Sequence, residues 1–178
     1  MAKIRKDPSY LELHRSGALK DRAAEAHKLL HCCTVCPHAC GINRLQGELG
    51  LCRIGAKARV AGFGAHFGEE SPLVGRNGSG TIFFAGCNLL CVFCQNEDIS
   101  HIDKEGDCAA DAVDENELAA IMINLQSQGC HNINLVTPSH VIPQFLAALP
   151  VAADPGLNIP IVYNSCLLYT SPSPRDRT

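Results

Sequence analysis

Seven cysteines fall into two spaced groups, and their spacing is what could do chemistry. Cys87, Cys91 and Cys94 form a C-x3-C-x2-C array directly after the apolar run TIFFA. Three thiolates so close in sequence can meet at one centre only if the chain loops around it. A 4Fe-4S cluster takes four thiolates. Three would leave one iron open to another ligand, and by analogy with catalytic zinc an open position marks a catalytic site. The competing readings are a zinc ion completed by a distant ligand such as His101, or three thiols in an ordinary loop. Cys33, Cys36, Cys40 and Cys52 make the second group, C-x2-C-x3-C-x11-C, punctuated by Gly41, Gly47 and Gly50. Four thiolates on short turns suit a tetrahedral structural zinc or a second iron–sulfur cluster. Cys32 could replace Cys33, and His38 is a further conceivable ligand. Free thiols are the alternative.

Composition restricts what these groups can serve. The chain has 178 residues, eleven of them cysteine, and its 15 Lys+Arg against 18 Asp+Glu give a net charge of −3. That balance argues against nucleic acid, which needs a basic face. With 46 % hydrophobic and 19 % charged residues the chain reads as globular rather than disordered. No apolar run reaches bilayer length, and the charged start MAKIRKDPSYLELHRSG is no secretory signal. The expectation is a cytoplasmic, reducing compartment without membrane partners. There, clustered cysteines signal metal or redox chemistry rather than disulfides.

The elements that must position these groups can be sketched from pattern. Residues 10–30 read as an amphipathic helix, with Leu19, Ala23, Ala26 and Leu30 on one face. Residues 31–55 are the cysteine-rich knuckle, and 56–80 read as short strands and turns. TIFFA (81–85) and NINLV (132–136) read as buried strands, and IPIVYN (159–164) reads as a third strand. Between them, Asp114 with Glu117 forms a capping box before ENELAAIMINLQSQG, and Gly129 is the stop. Val141–Leu149 is a short helix with Ser139 as candidate N-cap and Pro143 in its first turn. The order β, α, β, α, β argues a parallel sheet of βαβ units.

With aromatic Phe93 before the last cysteine, C-x3-C-x-Φ-C resembles the signature of radical S-adenosylmethionine (SAM) enzymes. HFGEESPL (66–73), GSGTIFFAGCNLLCVFCQNEDIS (78–100) and INLVTPSH (133–140) resemble one branch, the pyruvate formate-lyase-activating-enzyme homologues. The likeness runs from about Tyr10 to Ser165. It implies an α/β fold, the N-terminal half of a partial (β/α)6 TIM-like barrel, preceded by the small Cys-rich segment. It also implies a 4Fe-4S cluster on Cys87, Cys91 and Cys94, and SAM bound beside it. The SAM contacts it implies are Phe93 near the adenine, Thr137 where the family often carries Gly-Gly-Glu, and Asn164 and Ser165 at the end of the third strand. The implied chemistry is reductive cleavage of SAM to methionine and a 5′-deoxyadenosyl radical, which abstracts hydrogen. The implied partners are a low-potential electron donor of flavodoxin or ferredoxin type and a glycyl radical enzyme. For Thr137, Asn164 and Ser165 the alternative is ordinary strand-end turn chemistry.

These readings divide the chain into 1–55, a helix and metal-binding knuckle; 56–165, the core; and a tail, 166–178. The first eleven residues of that tail, CLLYTSPSPRD, equal one frame of a transposase-type sequencing adapter, so the tail reads as non-native. A core cut after its third strand is expected to keep the cluster ligands but to form no closed, dry SAM site, and so to be inactive. The alternative function is a structural zinc module with no catalysis. Cys108 and Cys130 read as small buried hydrophobes, Gly75–Gly80 as a turn lacking a P-loop ending, Glu69-Glu70 as a solvated turn, and His140 as a satisfied helix-start histidine.

Overall fold

The computed structural model describes residues 7–103 and 110–165, so Cys108 and the tail lie outside the described residues. The N-terminal region holds two helices rather than one, α1 (Ser9–Arg15) and α2 (Ala18–Lys28). Gly17 separates them with φ +81°, a left-handed turn that glycine adopts without steric cost. A single 3-10 turn at Arg44–Gln46 lies in the knuckle. There follow β1 (Ala58–His66), α3 (Ser71–Val74), β2 (Ser79–Phe84), α4 (Glu97–Ser100), β3 (Asp111–Val113), α5 (Glu115–Ser127), β4 (Ile133–Val136), α6 (Ile142–Ala153) and β5 (Ile161–Asn164).

The sheet corrects the expectation of half a (β/α)6 barrel. It is an open, mixed five-stranded sheet of order β3-β1-β2-β4-β5. Only β2, β4 and β5 are mutually parallel. The other side of β2 is taken by β1, which runs antiparallel to it, and β3 runs antiparallel to β1. The two outer strands, β3 and β5, do not pair, so nothing closes into a barrel. The segment read as short strands and turns thus contains one nine-residue strand and the short helix α3. Gly62 and Gly64 interrupt its alternation, and the register shifts between Val60 and Gly62. Glycine inside a strand often accompanies such a bulge and removes the pattern that would reveal it.

Side chains alternate across the sheet. Ile82 and Phe84 of β2 and Ile133 and Leu135 of β4 enter the core with Leu118, Met122 and Leu125 of α5 and Phe145, Ala148 and Leu149 of α6. Tyr10, Leu11 and Leu19 belong to that same core. The Tyr10 hydroxyl donates to the carbonyls of Leu157 and Ile159 at 3.1 and 3.0 Å, and burial pushes its pKa up to about 12. The opposite face carries Ser79, Thr81, Asn132 and Asn134, all buried. The segment between β1 and β2 meets them: Asn132 donates to the Leu73 carbonyl and Asn134 to the Glu69 carboxylate.

Helix α5 starts as its sequence dictates. The Asp114 carboxylate accepts from the backbone N–H groups of Asn116 and Glu117, and Glu117 accepts from the Asp114 N–H. Asp114→Ala leaves two of these donors without their partner. It is expected to lower stability by about 1 kcal/mol, read as a shift of the urea midpoint. An unchanged midpoint would mean water replaces the cap at no cost. Helix α6 begins differently: Ser139 does not cap it, and Val141 precedes it with no side-chain cap.

Candidate metal centres

The loop of Cys87, Cys91 and Cys94 leaves the C-terminal end of β2, as ligand-bearing loops of parallel strands do. It is pinned at its neck, where the Gly86 N–H donates to the Ile99 carbonyl at 2.8 Å. Within it the Cys94 N–H donates to the Cys91 carbonyl at 3.1 Å, and Leu90 turns the chain at φ +48°. Two sulfurs already receive hydrogen bonds: Leu89 N–H to Cys87 Sγ and Ser100 hydroxyl to Cys94 Sγ, both 3.3 Å. Donors aimed at sulfur are among the protein's means of tuning an iron–sulfur cluster. Cys87 is buried, and Cys91 and Cys94 are partly exposed. Phe93 is 84 % exposed, so no preformed wall holds it where an adenine contact was expected.

The strand ends beside this loop bring together the other predicted contacts. The Thr137 N–H donates to the Asn164 carbonyl at 2.7 Å. Ser139 and Ser165 hydroxyls bond at 2.7 Å, and Ser139 also reaches the Tyr163 hydroxyl at 2.9 Å. Thr137 has φ +52°. A β-branched residue in the left-handed region is a genuine outlier, and such strain concentrates at ligand-binding positions.

The second group lies against the first. Cys33, Cys36, Cys40 and Cys52 line one cavity with His38, Arg44, Asn88 and His140. The knuckle is closed by Cys33 N–H to Ile42 O, Gly41 N–H to Cys33 O and Ala39 N–H to Cys36 O, at 2.9, 3.1 and 2.9 Å. Burial pushes the Cys36 and Cys52 thiols up; the backbone at His38 and Ile54, and less strongly Arg44, pulls them back, while the neighbouring thiols push the same way as burial. His38 Nε2 contacts the Asn88 carbonyl in the other loop.

Arg44 is the residue that sequence reasoning missed. It is 1 % exposed. Its Nε donates to Gly55 O at 3.0 Å and its Nη1 to His140 O at 2.9 Å, with Cys33 Sγ 3.8 Å away. A basic residue amid cysteines was the only signal for it. His140 is equally buried and meets the Ala85 carbonyl through Nε2 at 3.0 Å. Among the described residues, no three Cys, His, Asp or Glu side chains are already gathered as a metal cage. Any ion must draw its thiols in.

The chain is 35 % identical over 162 residues to an uncharacterized protein of Methanocaldococcus jannaschii, a match covering 90 % of this chain and 46 % of that relative. The chain thus spans about half the length of the curated relative it matches. No family model matches it, and no solved structure does. No helix among the described residues is long and apolar enough to cross a membrane.

Proposed function

We propose that the chain carries the cluster-binding part of a radical SAM iron–sulfur enzyme, related in chemistry to activators of glycyl radical enzymes. One observation carries the reading. The C-x3-C-x2-C loop, with donors already on two of its sulfurs, leaves the same sheet end where Thr137, Asn164 and Ser165 gather. The donor set fits a three-thiolate 4Fe-4S cluster. When bound and reduced, that cluster supplies one electron to the sulfonium of SAM, whose cleavage yields methionine and a 5′-deoxyadenosyl radical for hydrogen abstraction.

This chain's residues have simpler tasks. Cys87, Cys91 and Cys94 hold the cluster, and the Leu89 N–H and Ser100 hydroxyl offset charge on sulfur. Thr137, Asn164 and Ser165 offer hydroxyl, amide and backbone groups to a polar ligand at the strand ends. The electron would come from a flavodoxin- or ferredoxin-type donor. A glycyl radical enzyme is the partner the reading favours, although cofactor chemistry does not fix the target.

Anaerobic reconstitution with iron and sulfide tests this. The chain is expected to gain the visible absorption of a cluster and, once reduced, an electron paramagnetic resonance signal that SAM perturbs. Cys87→Ala, Cys91→Ala or Cys94→Ala should each abolish the SAM-sensitive signal. A colourless protein holding zinc at both cysteine groups would replace this reading with the structural module. A signal indifferent to SAM would also defeat it.

A further inference from the structure

We propose that Cys33, Cys36, Cys40 and Cys52 bind a single zinc ion, with the buried guanidinium of Arg44 as its charge partner. The proposal does not rest on the radical SAM reading, because it concerns the other cysteine group.

Charge is the first argument. Arg44 is buried, and among the described residues no carboxylate pairs with it. Its partners are two carbonyls and a thiol, and its Nη2 has no partner. A buried charge is costly unless paired. Four protonated thiols are neutral and would leave the guanidinium uncompensated. Four thiolates on Zn2+ carry a net charge of −2, placed against Arg44. The guanidinium halves that charge, and its Nη1, already 3.8 Å from Cys33 Sγ, gains a thiolate acceptor.

Size is the second argument. The part of the four-thiol cavity open to the centre of a water-sized sphere is about 10 Å3, enough for a lone ion once the thiols close on it. Four-thiolate tetrahedral coordination is a common structural zinc set.

Position gives the ion a task. The knuckle holds the catalytic-candidate loop through His38 and the Asn88 carbonyl. It holds the turn after β4 through Arg44 and the His140 carbonyl. An ion tying Cys33, Cys36, Cys40 and Cys52 together would therefore fix both loops from behind.

The test uses the 178-residue chain with Cys87, Cys91 and Cys94 all replaced by Ala, which removes the cluster site of the proposed function. Expressed with iron and zinc both present, it should retain about one zinc per chain and no iron or sulfide. Cobalt substitution should give the visible bands of a tetrahedral thiolate site. Arg44→Met should weaken zinc retention against a chelator about tenfold or more, with Arg44→Lys restoring part of it. Because Cys→Ser variants of the knuckle would report folding as well as binding, alkylation of the otherwise intact chain provides a second readout. Cys33, Cys36, Cys40 and Cys52 should be protected together and released together by chelator. Iron with labile sulfide at these cysteines, no bound metal, or independent alkylation would overturn the zinc assignment. Unchanged zinc retention in Arg44→Met would overturn the role of Arg44.

Discussion

Gly86→Ala should destabilise the protein by on the order of 3 kcal/mol, combining a left-handed backbone penalty with an overpacking cost. Gly86 has φ +71°, and a Cβ there would collide with the Cys52 carbonyl oxygen and lie 3.0 Å from Ile54 Cγ1. The near neighbour is backbone, which cannot rotate away as a side-chain tip can. Gly86 also closes the neck of the Cys87–Cys94 loop by donating to Ile99. Relief of the clash must therefore separate the knuckle from that loop. Gly17→Ala is the control. Gly17 has φ +81° but nothing within 4 Å of an added Cβ, so it should cost only the backbone strain, about 1 kcal/mol. Urea unfolding of both variants separates the two contributions. Equal losses would mean that the approach of Gly86 to Cys52 is not a tight contact.

That contact shows where sequence reasoning reaches its end. The Asp114–Glu117 capping box was legible because every partner lies within one turn of chain. Gly129 was legible as a helix stop for the same reason, and it adopts φ +89°. Strands β2, β4 and β5 were legible from continuous apolar runs, although β5 lies at the sheet edge and is half-buried to exposed. Pairing was not. Nothing in TIFF says that one neighbour is parallel β4 and the other antiparallel β1, and the barrel expectation failed there. The split at Gly17 was overlooked because the apolar spacing continues across it. The spacing of both cysteine groups could be read directly. Their adjacency could not, because it depends on His38 meeting Asn88 and Arg44 meeting His140, contacts between residues fifty and ninety-six positions apart.

His140 turns that burial into a pH dependence. Burial is the main reason its pKa falls from 6.5 to about 4, and the charge of Arg44 lowers it further, while its contact with the Ala85 carbonyl opposes the shift, as does the Thr137 backbone. In the unfolded chain the imidazole takes up its proton near its ordinary pKa; in the folded chain it resists until about pH 4. Between those values the unfolded state binds more protons, so acid favours unfolding. Stability contributed by the neutral ring is complete above pH 6.5. It declines by about 1.4 kcal/mol per pH unit as pH falls below 6.5, and the decline ends near pH 4, where the folded ring also protonates. The full loss is roughly 3 kcal/mol. His140→Gln keeps an amide donor for the Ala85 carbonyl but cannot titrate. It should be less stable than the parent at pH 7.5 and show a shallower decline between pH 6.5 and 4. Urea midpoints across that range, in chelator so that zinc release does not contribute, give the comparison. Identical slopes would mean that His140 is protonated as readily folded as unfolded. The neutral ring also has a consequence for the neighbouring site. With Nε2–H directed at the Ala85 carbonyl, the uncharged imidazole of His140 adds no second cation beside Arg44 in the lining of the four-thiol cavity.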